Sequence, residues 1–265
     1  IKLKKKIRNV FLVIGTEVPL SGGNDKSKIK LTSYNQISRE VINFKKLLKI
    51  NKIPPNLFAL VIEPGMKYTH SKVTVPRFTK FKKKFFYSKK NHFVYEAHST
   101  DFQKLFTLKS LVKNNFKFLK VGPELTFNLS KAIFFMENLE KKNYFKKKSN
   151  YTKNILFAMN QNKKYWRSYY QGDKKTTNKL MLNSQLDRMR YYLSHERVQR
   201  SKKILEKNIN KMKKELIVKL LNKFDKNRKN YMIKDKLKLT NFRLIVFFFL
   251  FNTLKKYYKA CAFKI

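Results

Sequence analysis

Acidic residues are scarce in this chain. Sixteen Asp and Glu stand against 63 Lys and Arg in 265 residues, a formal net charge of +47. The single cysteine, Cys261, excludes an intrachain disulfide and fits a reducing compartment, the cytosol. Glycine and proline are few, six of each, and no internal repeat is seen. No apolar run approaches the roughly 20 residues a membrane span needs. The longest, Leu244 to Phe251, reads as a buried helix. The apolar run Val10 to Ile14 behind the basic N-terminus is too short for a signal-peptide core. The first residue is Ile, which leaves room for a start upstream.

The charge taken alone points to nucleic acid. The excess Lys comes with excess Asn, Ile, Phe and Tyr, all residues with A/T-rich codons, and the lysines are scattered. Base-composition drift accounts for that pattern without selection for charge. Interleaving such as Phe81-Lys82-Lys83-Lys84-Phe85-Phe86-Tyr87 keeps a single-strand-binding reading open, since stacking plus charge is how single strands are held.

Two short apolar runs organise the rest. Phe93-Val94-Tyr95 leads into Glu96-Ala97-His98-Ser99-Thr100-Asp101, and Phe116 to Leu119 leads into Lys120-Val121-Gly122-Pro123. A helix is expected between them, carrying Leu105, Leu108, Leu111, Val112 and Phe116. Strand, helix, strand with reactive groups at the carboxyl ends is the arrangement of α/β active sites. Two further runs, Val10–Ile14 before Gly15-Thr16-Glu17 and Leu57–Ile62 before Glu63-Pro64-Gly65, read as strands buried on both faces. A helix over 34–50 would present Ile37, Val41, Phe44, Leu47 and Leu48 on one face. Residues 67–90 read as a looser, Lys-rich stretch, and another helix follows Pro123 to about 140. Strands alternating with helices imply an α/β fold with a parallel sheet. From Lys141 to Asn150 the chain reads as a polar linker. Beyond it only helices are expected: 202–224, with Ile204, Leu205, Ile209, Met212, Leu216 and Leu220 on one face, and 242–261.

The candidate chemistry sits at the strand ends. His98 could bind a divalent metal or move a proton, or be a structural imidazole bonded to Thr100 or Asp101. Glu17 could ligate a metal, orient a sugar hydroxyl or cap its loop. Asp101 would cap or orient His98. Lys120 suits a phosphate dianion, with Gly122 letting backbone approach it. Arg188 and Arg190 could grip phosphate bidentately or form an ion pair that holds the helical extension. His70, His92 and His195 read as exposed.

These motifs resemble the Z subunit of class II D-tagatose-1,6-bisphosphate aldolase, the GatZ/KbaZ family. Tyr95 to Asp101 looks like the family's YEAHSTD. Leu119 to Pro123 with Leu125-Thr126-Phe127 resembles LKVGPALTF, and Val13 to Pro19 with Gly22-Gly23 resembles VIGTEVPxxGG. Pro64-Gly65 matches a PG after the sixth strand. Trp166, Tyr169 and Tyr170 resemble YWxxYY, and Asp187 to Tyr192 resembles SDRIRYY; Leu186 and Leu193-Ser194 depart from the latter pattern.

The resemblance implies the C-terminal half, strands five to eight, of a TIM-type (β/α)8 barrel in residues 1–140, and a helical C-terminal extension in 141–265. It implies a non-catalytic subunit that stabilises a catalytic Y subunit (GatY/KbaY type) in galactitol- or N-acetylgalactosamine-type catabolism, in the cytoplasm and away from membranes. Glu17, His98 and Asp101 would be the catalytic candidates. Lys120, Gly122, Arg188 and Arg190 would meet a phosphosugar. His98 and Glu17 would hold a divalent metal such as Zn2+ only if the other half-barrel, which carries an Asp-His motif, were supplied. The alternatives are a metal-dependent sugar or sugar-phosphate epimerase, and a basic protein that binds nucleic acid, for which only non-specific binding is expected.

Overall fold

The computed structural model describes residues 11–15, 31–52, 58–76, 78, 82–224 and 239–262. The chain forms two compact units. One comprises Ile1–Gly122 with Lys256–Ile265, the other Pro123–Lys255.

The first unit is α/β. Its strands are β1 (Leu12–Ile14), β2 (Phe58–Ile62), β5 (Val94–Ala97) and β6 (Phe116–Leu119), all parallel, in the order β1-β2-β5-β6. Helix α1 (Tyr34–Ile50) connects β1 to β2, and α3 (Leu105–Lys113) connects β5 to β6. The stretch expected to be loose holds a small hairpin, β3 (Lys67–Tyr68) with β4 (Val73–Thr74), and helix α2 (Lys82–Lys90).

Local sequence sets these boundaries. Ser33 caps α1 in a capping box: its Oγ accepts from Gln36 N–H at 3.2 Å while Gln36 Oε1 accepts from Ser33 N–H at 2.8 Å. Ile37, Val41 and Leu48 of α1 are buried. Leu47, expected on that face, is 56% exposed, because it lies one residue, about 100°, off the buried stripe. Phe116, expected at the end of a helix, begins β6. Asn114 and Asn115 end the helix, Asn115 at φ 68°.

Aromatic rings tie the sheet together. Phe44 packs edge-on against Phe58 at 4.9 Å, Phe58 stacks on Phe93 at 5.4 Å, Phe93 meets Tyr95 at 5.3 Å, and Tyr95 meets Phe116 at 5.2 Å. Leu60, Ile62, Leu108 and Leu111 complete the core. β2 and β5 are buried as expected, but β1 is not. Val13 is 45% exposed because β1 has a described neighbour on one side only. β6 is likewise an edge, and Phe118 faces outward from the core.

The sheet is curled. A flat four-stranded sheet holds its outer strands roughly 14 Å apart. Yet Phe11, just before β1, and Phe118, on β6, bring their ring centroids to 5.0 Å. Both rings must project from one concave face.

The second unit is helical: α4 (Pro123–Lys142), α5 (Tyr151–Gln161), α6 (Lys174–Asn183), a 3₁₀ turn (Arg188–Tyr192), α7 (Glu196–Asn210), α8 (Lys214–Phe224) and α9 (Asn241–Ala260), the last turn of α9 belonging to the first unit. The helix expected over 202–224 is broken at 211–213. The break shifts the register, so Ile217 and Leu221 are buried instead of Leu216 and Leu220. The polar stretch after α4 is pinned. Buried Glu140 accepts from Ser149 N–H at 3.0 Å and from Asn208 Nδ2 at 2.6 Å. Buried Glu137 accepts from Thr152 N–H at 3.1 Å, at the start of α5.

Candidate functional site

The carboxyl ends of β5 and β6 are fastened to each other. Lys120 N–H donates to Ala97 O at 3.0 Å, and Thr100 N–H donates to Lys120 O at 2.9 Å. Thr100 Oγ1 also donates to Lys120 O, at 2.8 Å, and lies 2.9 Å from Tyr257 Oη, which in turn bonds Thr100 O. The chain leaves β5 through left-handed positions at Ser99 (φ 58°) and Phe102 (φ 60°), which fold residues 98–103 back over the strand ends. Asp101 is buried, and its Oδ1 accepts from Gly122 N–H at 2.9 Å. Gln103 Nε2 reaches Thr74 O at 3.0 Å.

His98 stands at the rim of this loop. Its Nδ1 is buried and has no hydrogen-bond partner among the described residues. Neither Thr100 nor Asp101 serves it; their described bonds run to Lys120, Tyr257 and Gly122. Burial pushes its pKa down, and the Lys120 charge pushes it further the same way. The imidazole is therefore neutral at pH 7. Lys120 Nζ is 3.9 Å from Glu96 Oε1, and its side chain is 59% exposed. No atom lies within 4 Å of where a Cβ on Gly122 would sit, so that position borders open space. Gly15 is different: a Cβ there would fall 2.9 Å from Val61 Cβ, so the close approach of β1's end to β2 requires glycine.

Glu63, at the carboxyl end of β2, is a group that the sequence reading passed over. Ile62 pairs with Ala97, which sets Glu63 level with His98 at the ends of adjacent strands. Glu63 accepts from Gly65 N–H at 2.8 Å and Met66 N–H at 3.0 Å. Burial outweighs those two bonds and pushes its pKa up to about 7. The available signal was an acid directly after a buried strand and before Pro-Gly.

Glu17 lies outside the described residues. Among those described, no three His, Cys, Asp or Glu side chains converge as metal ligands. Asp101 is held by Gly122 N–H and Glu96 leans toward Lys120, so the described donors around His98 do not by themselves form a divalent-ion site.

Arg188 and Arg190 belong to the helical unit. Asp187, at φ 45°, starts the 3₁₀ turn that carries them. The Arg190 guanidinium is occupied: Nη1 donates to Leu186 O at 2.7 Å and Asp187 O at 2.8 Å, and Nη2 to Tyr191 Oη at 2.9 Å. Arg188 is buried, with its guanidinium carbon 3.3 Å from the centre of the Tyr169 ring. Among the described residues neither arginine forms the ion pair that the sequence left open. His70 and His195, expected to be exposed, are half-buried.

The family model "D-tagatose-1,6-bisphosphate aldolase subunit GatZ/KbaZ-like" matches residues 2–262. The D-tagatose-1,6-bisphosphate aldolase subunit GatZ of Salmonella dublin is 30% identical over 212 residues, 77% of this chain and 49% of the relative. That of Escherichia coli O1:K1 / APEC is 30% identical over 203 residues, 74% and 48%. The chain thus spans about half the length of the relatives it matches. The crystal structure of a probable tagatose 6 phosphate kinase from Sinorhizobium meliloti 1021 superposes with a TM-score of 0.74 at 20% identity, covering 95% of this chain and 62% of that one. That likeness is one of fold. No helix among the described residues is long and apolar enough to cross a membrane.

Proposed function

Because the chain belongs to the D-tagatose-1,6-bisphosphate aldolase subunit GatZ/KbaZ-like family, we propose that it is a non-catalytic, stabilising subunit of a class II tagatose-bisphosphate aldolase. It would work in the cytoplasm, in galactitol- or N-acetylgalactosamine-type catabolism. Its partner would be the catalytic Y-type subunit. The observation that carries this reading is at the ends of β5 and β6. There Thr100 and Asp101 are engaged in holding one loop to the next. Such a constellation fixes loop shape more than it performs chemistry.

In the same reading the curled sheet is the second half of an eight-stranded barrel, strands five to eight in residues 1–140, with 141–265 as its helical extension. Sequential parallel strands joined by helices and the Phe11–Phe118 contact across the concave face support it. The edges of β1 and β6 then need a cover, since unpaired strand edges invite association. Exposed Lys120 beside the open space at Gly122 would meet the phosphate of a phosphosugar.

Size-exclusion chromatography of this chain with a Y-type subunit tests the proposal, in salt high enough to screen the net positive charge. Co-elution is expected, and separate elution counts against it. A metal-dependent sugar or sugar-phosphate epimerase is the second reading, favoured by the unpartnered, neutral His98. That reading requires turnover that disappears in His98→Ala. Binding of RNA with a steep salt dependence would follow from charge alone and supports neither reading.

A further inference from the structure

The outer surface of the first unit gathers positive charge around exposed rings. Helix α2 reads KKKFFYSKK and carries no acidic residue. At about 100° per residue, Lys82, Lys83, Lys89 and Lys90 all lie within roughly 60° of Phe86. These five side chains are exposed, Phe86 to 59%. Lys84 and Ser88, on the opposite side of the helix, are buried. None of the exposed lysines joins a described ion pair. Lys82 and Lys83 also stand in the first turn of α2, where positive charge opposes the helix dipole. Like charges crowded on one helix face raise its free energy, and a polyanion laid across them lowers it again.

The ring at the centre of this face is braced. Half-buried Phe85 meets Phe86 edge-on at 5.6 Å, and Lys89 Nζ lies 5.9 Å from the centre of the Phe85 ring. The next helix repeats the device. On α3, which also lacks acidic residues, Phe106 is 74% exposed. Lys109 and Lys113, both exposed, lie within about 60° of it by the same count. Asn115, just past α3, donates through Nδ2 to Ser88 Oγ of α2 at 2.9 Å, which ties the end of α3 to α2. A single exposed ring is ordinary on a protein surface. Two on tied helices, each among lysines outside the described ion pairs, are suited to stack unpaired bases while neutralising their phosphates. A lipid surface would call for a broader apolar face than one ring per helix.

We infer that the outward face of α2 and α3 binds single-stranded nucleic acid, with bases stacking on Phe86 and Phe106 and phosphates meeting the lysines around them. Binding is independent of base sequence, because a ring stacks on any base. The inference does not rest on the subunit reading above, so either can fail without the other.

The test uses the full chain in about 0.3 M NaCl, where the Debye length is below 8 Å and diffuse binding by other lysines is suppressed. Fluorescence anisotropy follows a labelled single strand of about 12 nucleotides, offered as RNA and as DNA, and the tighter of the two names the source. Phe86→Ala should weaken single-strand binding roughly tenfold, and Phe86→Trp should keep it. A duplex of the same length has its bases already stacked, so its affinity should not change in Phe86→Ala. Phe86 is exposed, so thermal unfolding of Phe86→Ala should match the wild type, which separates lost binding from lost fold. Lys82→Gln with Lys89→Gln should lower the slope of log K against log salt by about 1.4. Lys174→Gln with Lys175→Gln, exposed in the helical unit, should leave that slope unchanged. Unchanged single-strand affinity in Phe86→Ala, an equal loss for the duplex, or an equal slope change from the Lys174 and Lys175 pair would overturn the face and leave charge alone as the cause. Polyglutamate that displaces the strand and depends on Phe86 to the same degree would overturn it in favour of an acidic protein.

Discussion

Replacing Glu63 by Gln should stabilise the protein at pH 8 and leave it nearly unchanged at pH 4.5. Glu63 is half-buried at the end of β2, and its pKa is raised from 4.5 to about 7. Because the folded-state pKa lies above the unfolded one, the folded state holds the proton more tightly. The stability this contributes is fully present below pH 4.5 and is lost as pH rises through about 7. At about 1.4 kcal/mol per pKa unit, the gap corresponds to roughly 3 kcal/mol at the alkaline end. Gln is neutral at every pH, has the same shape, and its Oε1 can still accept from Gly65 and Met66 N–H. Denaturant unfolding of both proteins at constant salt from pH 4.5 to 8 gives the difference directly, and other titrating groups cancel. The gain from Glu63→Gln should grow across that interval toward roughly 3 kcal/mol. A gain independent of pH, or a loss at pH 8, would refute the claim that burial outweighs the two backbone bonds.

Further outcomes are expected from the same geometry. Gly15→Ala forces a methyl against Val61 and should cost roughly 1–3 kcal/mol; Gly122→Ala, which meets nothing, should cost far less, and thermal unfolding of both checks the contrast. Glu140→Ala strands Ser149 N–H and takes one of the two bonds of Asn208 Nδ2, which keeps Lys147 O, and should cost about 2–4 kcal/mol by denaturant unfolding. The His98 imidazole should titrate below the usual histidine range by NMR, and Lys120→Met should move it part of the way back. A His98 that is charged at pH 7 would contradict its described surroundings.

Much of the first unit was legible because buried parallel strands advertise themselves. Phe58–Ile62 and Val94–Ala97 are short runs rich in β-branched and aromatic residues, each ended by charged or turn-forming groups. The apolar spacing of Ile37, Val41 and Leu48 placed α1 over 34–50, the range it occupies. Edge strands were harder. Val10 to Ile14 looks as apolar as a central strand, and only pairing reveals that Val13 is exposed. The break at 211–213 was hidden because Met212 keeps the apolar period while the backbone leaves the helix. At the site, the motifs located His98, Asp101, Lys120 and Gly122 at adjoining strand ends. They could not say that Asp101 serves Gly122 rather than His98, because hydrogen-bond direction depends on the left-handed turns at Ser99 and Phe102. Glu63 was passed over because an acid after a buried strand marks the position, while its raised pKa comes from burial in the folded chain.

The central claim is that this chain supports an aldolase without performing the cleavage. The direct measurement is tagatose 1,6-bisphosphate cleavage, with the half-life of the activity, for a Y-type subunit alone, for this chain alone, and for the two together. The account predicts no turnover by this chain alone, and higher activity with a longer half-life in the mixture. Turnover by this chain alone, or a mixture indistinguishable from the Y-type subunit, would contradict it.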